Sequence, residues 1–269
     1  MTQMQNYKII DAHCHIYPDK IAQKASDSTS EFYSMPSRLD GKASTLIMRG
    51  EAAGIEHFVV QSVATSPKQV SSINNFIAES VANSKGKFTG LGTLHPDSEN
   101  IESEIDEIIA LNLKGVKLHP DIQRVGIDDE RMHKIYELCE GKLPILMHTG
   151  DHRFDFSNPN RMLPILKKYK DLTVIGAHFG GWSVWDEAVE NLSRFENFYV
   201  DCSSSLYAMS PKKARELIDA YGTKRVLFGT DYPMWLPETE IENFMKIELS
   251  EEERCDILHN NATKMFGII

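Results

Sequence analysis

The feature of this 269-residue sequence that most constrains its fold is a regular alternation of short apolar runs with amphipathic segments. The apolar runs are rich in Val, Ile, Leu and Phe, as expected of strands that are buried on both faces. An amphipathic segment with helical periodicity follows each run. We therefore predict eight strands, at residues 7–13, 57–62, 88–95, 115–119, 144–148, 172–178, 198–201 and 226–229.

Strict alternation of strands and helices predicts an α/β fold with a parallel sheet, and eight units favour a single (β/α)8 TIM-type barrel. The competing doubly wound nucleotide-binding fold needs a glycine-rich phosphate loop after its first strand. Residues 11–15 read DAHCH at that point and contain no glycine. Because no Pro- or Gly-rich linker divides the chain, we predict one barrel domain over residues 1–269.

Capping residues mark several helix starts. Ser66 and Ser210 each stand before a proline, a pattern typical of an N-cap followed by the first helical residue. Ser250 and Glu253 have the spacing of a capping box. These signals predict helices that begin directly after the three serines.

One long irregular stretch, residues 16–41, follows the first predicted strand and is rich in Ser, Asp and Lys. Loops of this length inside a compact domain are often functional. The stretch follows a strand end where a site would lie, so it could be a lid that closes over the site. The alternative is a surface excursion with a short helix.

The composition narrows the partners and the location. A net charge of −10 at pH 7 repels phosphate backbones and anionic lipids, so we expect neither nucleic acid nor membrane as a partner. The first ten residues lack a basic stretch followed by an apolar core, and no apolar run is long enough to span a bilayer. Four scattered cysteines without CxxC spacing favour reduced thiols and a cytoplasmic protein: Cys14, Cys139, Cys202 and Cys255.

Histidines are concentrated at the ends of the predicted strands. In a (β/α)8 barrel the carboxyl ends of all strands meet at one rim, and that rim carries the active site. The fold would therefore bring together residues that are far apart in the sequence. Six of the ten histidines lie at or just beyond a strand end: His13, His15, His95, His119, His148 and His178.

The spacing of His13 and His15 is the most informative of these patterns. Alternate side chains of a strand point to the same face, so both imidazoles would face the barrel interior and could chelate one metal ion. A pair of core histidines is the alternative, at the cost of several buried nitrogens without partners. His148 closes a purely apolar run and is either a third ligand or a histidine bonded to neighbouring backbone.

Two further residues bring acid–base groups to the same rim. His178 ends the sixth predicted strand and is either another ligand or a hydrogen-bonding partner of a metal-bound water or the substrate. Asp231 follows the eighth strand and is a ligand or general base, or else a turn residue near Pro233. Three imidazoles and a carboxylate predict one divalent metal ion, with Zn2+ first and Mn2+, Fe2+ or Co2+ as alternatives.

Five more side chains are candidates for contact with the substrate. Lys117 and His119 share one face of the fourth strand, and Lys117 could pair with a carboxylate, bind a substrate anion, or bridge two metals after carboxylation. Arg153 and Arg124 follow strands five and four, and either guanidinium could clamp a carboxylate, with a surface salt bridge as the alternative. Trp182 is a candidate wall of the pocket or a packing residue.

Together these segments resemble the amidohydrolase superfamily, in particular the amidohydrolase-related group that includes aminocarboxymuconate-semialdehyde decarboxylase and related lactone hydrolases. The resemblance runs nearly from end to end of the chain. Each segment alone is a weak signal, but their order is specific. The segments are HCH at 13–15, KLHP at 117–120, HTG at 148–150, AHFGG at 177–181, GTDYP at 229–233 and NNATKMF at 260–266.

The resemblance implies a distorted barrel with a mononuclear centre, usually zinc. His13, His15, His148 and Asp231 would match the metal ligands, and His178 would match the histidine beside the metal-bound water. We expect a hydrolase that attacks an amide, ester or lactone of a small molecule with a metal-activated water, Asp231 and His178 being catalytic. The first alternative is a non-oxidative decarboxylase on the same metal site. A non-catalytic metal-binding barrel is a weaker alternative, and a homodimer is considered as the assembly.

Overall fold

The computed structural model describes residues 7–268, so the predicted domain limits, residues 1 and 269, lie outside the described residues. Short parallel strands alternate with helices along this part of the chain, as predicted. The strands of the described residues are β1 (Ile10–His15), β2 (His57–Gln61), β3 (Phe88–Gly90), β4 (Gly92–Thr93), β5 (Val116–Leu118), β6 (Ile145–Met147), β7 (Val174–Gly176), β8 (Phe198–Asp201) and β9 (Val226–Leu227).

The strands form two sheets, in the orders β1-β2-β3 and β4-β5-β6-β7-β8-β9, and every neighbouring pair is parallel. The predicted third strand, residues 88–95, is divided at Leu91 into β3 and β4. Leu91 N donates to Val60 O at 2.9 Å, and Gly92 N donates to Gly115 O at 2.9 Å. Leu91 and Gly92 thus hydrogen-bond to different sheets. The strands therefore do not form one continuous, closed barrel sheet.

The helices surround the strands and carry the connections between them. Ala43–Ala52 precedes β2, for example, and Ile101–Ala110 lies between β4 and β5. The α-helices of the described residues are α1 (Ala22–Tyr33), α2 (Ala43–Ala52), α3 (Val70–Asn83), α4 (Ile101–Ala110), α5 (Pro120–Gln123), α6 (Glu130–Cys139), α7 (Pro159–Lys168), α8 (Trp185–Leu192), α9 (Pro211–Tyr221), α10 (Pro237–Met245), α11 (Glu251–Cys255) and α12 (Asn261–Phe266).

The predicted helix starts are confirmed by their caps. Ser210 caps α9 by accepting a hydrogen bond from Lys213 N, and Ser250 with Glu253 forms the capping box of α11. Ser66 caps a 3-10 turn at Pro67–Gln69, which leads directly into α3. A side-chain oxygen that accepts from a free N–H of the first turn explains why serine stands at each start.

The core has two layers. The larger layer lies between the strands and the helices around them, and the smaller layer fills the space enclosed by the strands. Ala262 and Phe266 of α12 join the inner layer, and Asn261 donates to Val226 O at 2.7 Å, so α12 covers the end where the strands begin. The opposite end of the strands is left for the site. The inner layer consists mainly of Ile10, Ala12, Val59, Leu91, Leu146, Ile175, Ala177 and Leu227.

A β-bulge in β1 sets the direction of the first two histidines. Asp11 pairs with Phe58 and Cys14 with Val60, so β1 carries one extra residue between these pairs. Ile10 packs in the inner layer, whereas Cys14 packs in the outer one, and the alternation of side chains therefore changes at the bulge. The neighbours of Cys14, His13 and His15, consequently face the inside of the barrel end.

Two further findings concern the sequence-based expectations. The four cysteines are free, and all except Cys255 are buried. Within residues 7–268 no helix combines the length and the apolar character needed to cross a bilayer.

Candidate active site

A cavity of about 670 Å³ opens at the carboxyl ends of the strands. Its base is made by polar side chains that follow β1, β5, β6, β7 and β9, or end them, as expected for a barrel rim. α1, within the 16–41 stretch, and α3 supply much of the outer wall. The side chains of the base are His13, His15, Lys117, His119, His148, His178 and Asp231.

His13, His15 and Asp231 converge on one point. The two Nε2 atoms lie 3.1 Å apart, and Asp231 Oδ1 lies 3.4 Å from His13 Nε2 and 3.6 Å from His15 Nε2. The donor atoms of the three residues all lie within 4.8 Å of one another, as those of metal ligands do. His13 and Asp231 are buried, and His15 is partly buried.

Asp201, at the end of β8, fixes the orientation of His13. Its Oδ2 atom lies 2.8 Å from His13 Nδ1, and both side chains are buried. A carboxylate only accepts hydrogen bonds, so Nδ1 carries the proton and the lone pair on Nε2 faces the cavity. Asp201 Oδ1 accepts from His178 N and Ser203 N as well, so one carboxylate ties the ends of β7 and β8 to the first histidine.

His178 is held in a related way but lies on another strand end. Its Nδ1 atom is 3.1 Å from the carbonyl oxygen of Ser203, so Nδ1 is the protonated nitrogen and Nε2 is free to accept. The imidazole stacks on His13, with ring centroids 5.3 Å apart. Burial lowers the pKa of His178 to about 3, so the ring is neutral near pH 7.

His178 and Asp231 both adopt positive φ, at +60° and +59°. Non-glycine residues rarely take this conformation, and where it occurs the surrounding structure holds the residue in place. Asp11 does so for Asp231, since its carboxylate accepts hydrogen bonds from Thr230 N and Thr230 Oγ1. The backbone conformation turns the Asp231 carboxylate towards the cavity, where Oδ2 accepts from Ser204 Oγ.

His148 lies at the same base but belongs to a second group of side chains. It stacks on His119 with centroids 4.0 Å apart, and its Nε2 atom is 3.5 Å from Asp121 Oδ2. His119, Asp121 and His148 form a separate set of donors within 4.8 Å of one another. Among the described residues His148 Nε2 has no hydrogen-bond partner, although it is buried. A buried nitrogen without a partner is costly and is what a metal ligand leaves when no ion is bound.

The charge states of these side chains fit a divalent metal. Burial lowers the pKa of His13, His15 and His148 well below the ordinary 6.5, and neutral imidazoles are the form that binds metal. Burial raises the pKa of Asp231 above its ordinary 3.8, and a bound cation would favour its charged form. Three neutral imidazoles and one carboxylate are a donor set that Zn2+, Mn2+, Fe2+ and Co2+ all accept.

Lys117 is buried beside the first group. Its Nζ atom lies 3.0 Å from His13 Nε2, and that is its hydrogen-bond partner among the described residues. The expected pairing with a carboxylate is therefore not seen. Burial lowers the pKa of Lys117 from the ordinary 10.5. A cation at the base of the cavity attracts an anionic group that enters it.

Arg153, Arg124 and Trp182 do not line the main cavity. Arg153 instead pairs with the Asp151 carboxylate through Nε and Nη2, and its Nη1 atom donates to Phe32 O at 2.7 Å. Arg124 is exposed. Trp182 borders a small adjoining pocket of about 20 Å³. In this arrangement Arg153 clamps the Asp151 carboxylate, and neither arginine lines the cavity where a substrate carboxylate would lie.

Sequence reasoning missed several residues of the site. Asp201 ends a predicted strand with a carboxylate, the same signal that singled out His148, and could have been found. Ser203 and Ser204 lie in a serine run that carries no distinctive signal, and their hydroxyls contact His178 and Asp231. Tyr33 is the fourth: its hydroxyl lies 2.7 Å from His119 Nε2. That contact depends on where α1 folds, which the sequence does not indicate.

Comparisons with known proteins show the family and the fold of the chain. A family model described as amidohydrolase matches residues 10–268. A 2-amino-3-carboxymuconate-6-semialdehyde decarboxylase from Dictyostelium discoideum is 24% identical over 242 residues, 73% of this chain. The match spans 66% of that protein, slightly less than two thirds of its length. The resemblance noted in the sequence is thereby confirmed.

Two solved structures are similar over nearly the whole chain. An uncharacterised TIM-barrel protein from Bordetella bronchiseptica has a TM-score of 0.81 and 22% identity, covering 97% of this chain and 98% of its own. A dihydroxybenzoic acid decarboxylase from Polaromonas sp., solved with bound manganese and the inhibitor 2-nitroresorcinol, has a TM-score of 0.74 and 18% identity, covering 97% of both chains. These likenesses confirm the predicted TIM-type barrel fold.

Proposed function

The chain belongs to the amidohydrolase family, and we propose that it is a metal-dependent enzyme that removes CO2 from a small unsaturated or aromatic carboxylate without an oxidant. The observation that carries this proposal is the convergence of His13, His15 and Asp231 within 4.8 Å at the base of a cavity. Two of the similar proteins are decarboxylases by name, which supports decarboxylation over the hydrolysis expected from the sequence.

His13, His15 and Asp231 would hold the metal ion, and His148 would be the fourth ligand if its ring turned from Asp121 towards them. When bound, a divalent ion supplies positive charge that polarises an oxygen of the substrate and stabilises developing negative charge. Asp201 keeps His13 Nε2 unprotonated and directed at this point. Zn2+ and Mn2+ are the ions that we propose to test first.

Asp231 is the acid of the proposed reaction. It delivers a proton to the carbon that bears the substrate carboxylate. The bond between that carbon and the carboxylate then breaks, CO2 leaves, and the electron pair of the bond restores the unsaturated system. A proton from solvent returns to Asp231, so one carboxylate and one proton become one CO2 and one C–H bond. Ser204 Oγ, which donates to Asp231 Oδ2, holds the carboxyl in position.

His178 and Lys117 position the substrate in this proposal. The free Nε2 of His178 accepts a hydrogen bond from a substrate hydroxyl, because Nδ1 already donates to Ser203 O. Lys117 Nζ, buried at the base, attracts the carboxylate that is to be lost. Both residues line the same cavity as Asp231, so in this proposal one planar substrate contacts all three.

We also propose that residues 16–41 act as a lid. α1 lies within this stretch, and Phe32 and Tyr33 near its end line the cavity. The Tyr33 hydroxyl contacts His119 Nε2, and Arg153 Nη1 holds the Phe32 carbonyl. These two contacts join the stretch to the strand ends on the far side of the cavity, where a lid would close.

Hydrolysis of a lactone or ester is the second candidate, favoured by membership of the amidohydrolase family. The same Asp231 would accept a proton from an attacking water and return it to the leaving oxygen. The two reactions would use the same residues at the base of the cavity, so contacts between the rest of the cavity and the substrate would decide between them.

The test is to load purified protein with Zn2+ or Mn2+ and to offer hydroxybenzoates, unsaturated carboxylates and lactones. We expect CO2 from at least one carboxylate, with loss of about 10²- to 10⁴-fold in rate for Asp231→Asn. Asp106→Asn, an exposed carboxylate on α4, is the matched control and should be unaffected. Acid release from lactones without CO2 would favour the hydrolase. Bound metal without turnover of any compound would favour a non-catalytic barrel.

A further inference from the structure

We propose that the substrate has a single carboxylate head and a bulky apolar body, an aryl group with an alkyl or second aryl extension, and no second anionic group. This inference rests on the proposed decarboxylase function and specifies its substrate class. Three observations carry it: the walls of the cavity, the distribution of cations around it, and its size.

The cavity has a polar base and a largely apolar outer wall. The base carries the imidazoles, Asp231 and Lys117, and the outer wall is formed by α1, α3, α5 and the loop after β2. A ligand that fills the cavity therefore contacts ionisable groups at one end, and apolar side chains with some uncharged polar ones at the other. The apolar side chains of the outer wall include Ile21, Ala25, Val63, Ile73, Phe76 and Ile122.

The apolar outer wall is only partly covered by the protein itself. Ile21 is 51% exposed, and Ile73, Phe76 and Ile122 are half-buried. A ligand that covers these side chains removes apolar area from water, and that removal favours binding by about 25 cal/mol for each Å². The wall thus stabilises the binding of an apolar substrate body and gives no comparable gain in binding free energy to a second charged group.

Cations are scarce around the cavity. Among the described residues only Lys117, at the base, and Lys24, exposed on α1, contribute a positive side chain to its lining. No arginine of residues 7–268 lines it. Arg153, which follows β6, instead binds the Asp151 carboxylate and the Phe32 carbonyl. Other polar side chains of the wall are uncharged: Ser28, Thr29, Ser62, Thr65, Gln69 and Ser72.

A second carboxylate on the outer part of the substrate would lose its hydration there without gaining a buried cation. Burying an unpaired charge is costly, so a dicarboxylate of the same length should bind less well than a monocarboxylate. The cavity volume of about 670 Å³ also exceeds what a benzoate ring occupies, and cavities of this size hold molecules with several more groups.

The test is calorimetric binding to the metal-loaded protein of benzoate, 4-methylbenzoate, 4-butylbenzoate, 4-hexylbenzoate and terephthalate. We expect the Kd to fall about two- to fourfold for each added methylene, and terephthalate to bind at least about tenfold more weakly than 4-butylbenzoate. Ile73→Gln places a polar group on the outer wall and should reduce the gain for each methylene. Ile109→Gln, an exposed isoleucine on α4 outside the cavity, is the matched control.

A Kd that does not change with chain length, or terephthalate binding as tightly as 4-butylbenzoate, would overturn the inference. A reduced gain in both isoleucine variants would also overturn it, because the effect would then not come from the wall. The outcome is separate from the proposed reaction. Tighter binding of benzoates with longer alkyl chains, without CO2 release, would reject decarboxylation and keep the substrate class. CO2 release with the same Kd for every alkyl chain length would support decarboxylation and reject the substrate class.

Discussion

At the scale of single residues, the site depends on side chains that are fixed in one protonation state and one direction. His13 directs an unprotonated Nε2 at the cavity because its Nδ1–H donates to Asp201, and His178 does so because its Nδ1–H donates to Ser203 O. The nitrogen atoms that face the cavity are therefore oriented by contacts behind them. Predictions at this scale concern such supporting residues.

Replacing Asp201 by Asn should weaken metal binding about 10- to 100-fold, because the charged acceptor that orients His13 is lost. Competition with a chelating indicator measures the Kd. Asp186→Asn, an exposed carboxylate on α8, should leave the Kd unchanged. Equal affinities for wild type and Asp201→Asn would show that His13 is oriented by other contacts.

Glu240 on α10 should make the folded protein less stable as the pH rises. It is buried, and burial raises its pKa from 4.5 to about 8, so the folded state holds a proton that the unfolded chain releases. The contribution is complete below pH 4.5 and is lost progressively up to about pH 8. From pH 6 to pH 8 the loss in the free energy of unfolding should be about 2 kcal/mol.

Urea unfolding at pH 6 and pH 8 tests this expectation. Glu240→Gln should lose less stability than wild type between the two pH values, since the amide does not titrate. Glu242→Gln, exposed on the same helix, should behave like wild type. The same decline in all three proteins would mean that the Glu240 carboxyl does not hold its proton in the folded state.

The ionisable residues at the base of the cavity could be predicted from the sequence, whereas most of the residues that contact them could not. The spacing of His13 and His15 and the polar ends of apolar runs are local signals, so the ends of β1, β6 and β7 could be identified. The positive φ of His178 and Asp231 and the serine contacts arise from packing between distant segments. For the same reason Arg153 and Arg124 were expected at the cavity and lie outside it.

At the scale of elements, the segment between β1 and α2 is the part whose role the sequence left open. The structure places a 12-residue helix, α1, in it, and its last turn lies against the strand ends through Phe32 and Tyr33. The Arg153 guanidinium lies 5.3 Å from the Phe32 ring centroid and 5.4 Å from that of Tyr33. Arg153 is therefore placed to hold the end of the proposed lid, and its contact with a substrate stays a prediction.

Arg153→Gln should loosen α1, because it removes the hydrogen bond to Phe32 O and the contacts with both rings. Hydrogen exchange of residues 22–33 should become about tenfold faster, as expected for the loss of about 1.4 kcal/mol of local stability. Arg161→Gln removes a comparable set of ion pairs away from α1 and serves as the control. Unchanged protection of α1 in Arg153→Gln would remove the basis for this anchoring role.

The strands show where element-level prediction stops. Their order follows from the apolar runs, but their number does not, since eight runs were found and the described residues form nine strands. A run predicts only that a strand exists. The division of residues 88–95 at Leu91 and the bulge in β1 depend on pairing with neighbouring strands, which the sequence of one segment does not contain. The bulge affects the site directly, since it lies between Asp11 and Cys14, beside His13 and His15, the first two proposed ligands.

At the scale of the whole molecule, the alternation of strands and helices was sufficient to predict the fold class. A chain with that alternation buries its strands on both faces only in a few ways, and the absence of a glycine-rich loop removed the main competitor. The reaction could not be predicted in the same way, because hydrolysis and decarboxylation would use the same residues at the base of the cavity. The preference for decarboxylation comes from the similar proteins. The homodimer and the cytoplasmic location stay predictions.

The most direct test of the central claim is the metal content of protein purified without chelators or metal-affinity resin, measured by elemental analysis. The account predicts about one divalent ion per chain, lost in a His13→Ala/His15→Ala double variant that keeps its fold. Two ions per chain would indicate a binuclear centre that involves Lys117 or the His119, Asp121 and His148 group. A folded wild-type protein that contains no metal, and takes up neither Zn2+ nor Mn2+ on incubation, would contradict the account.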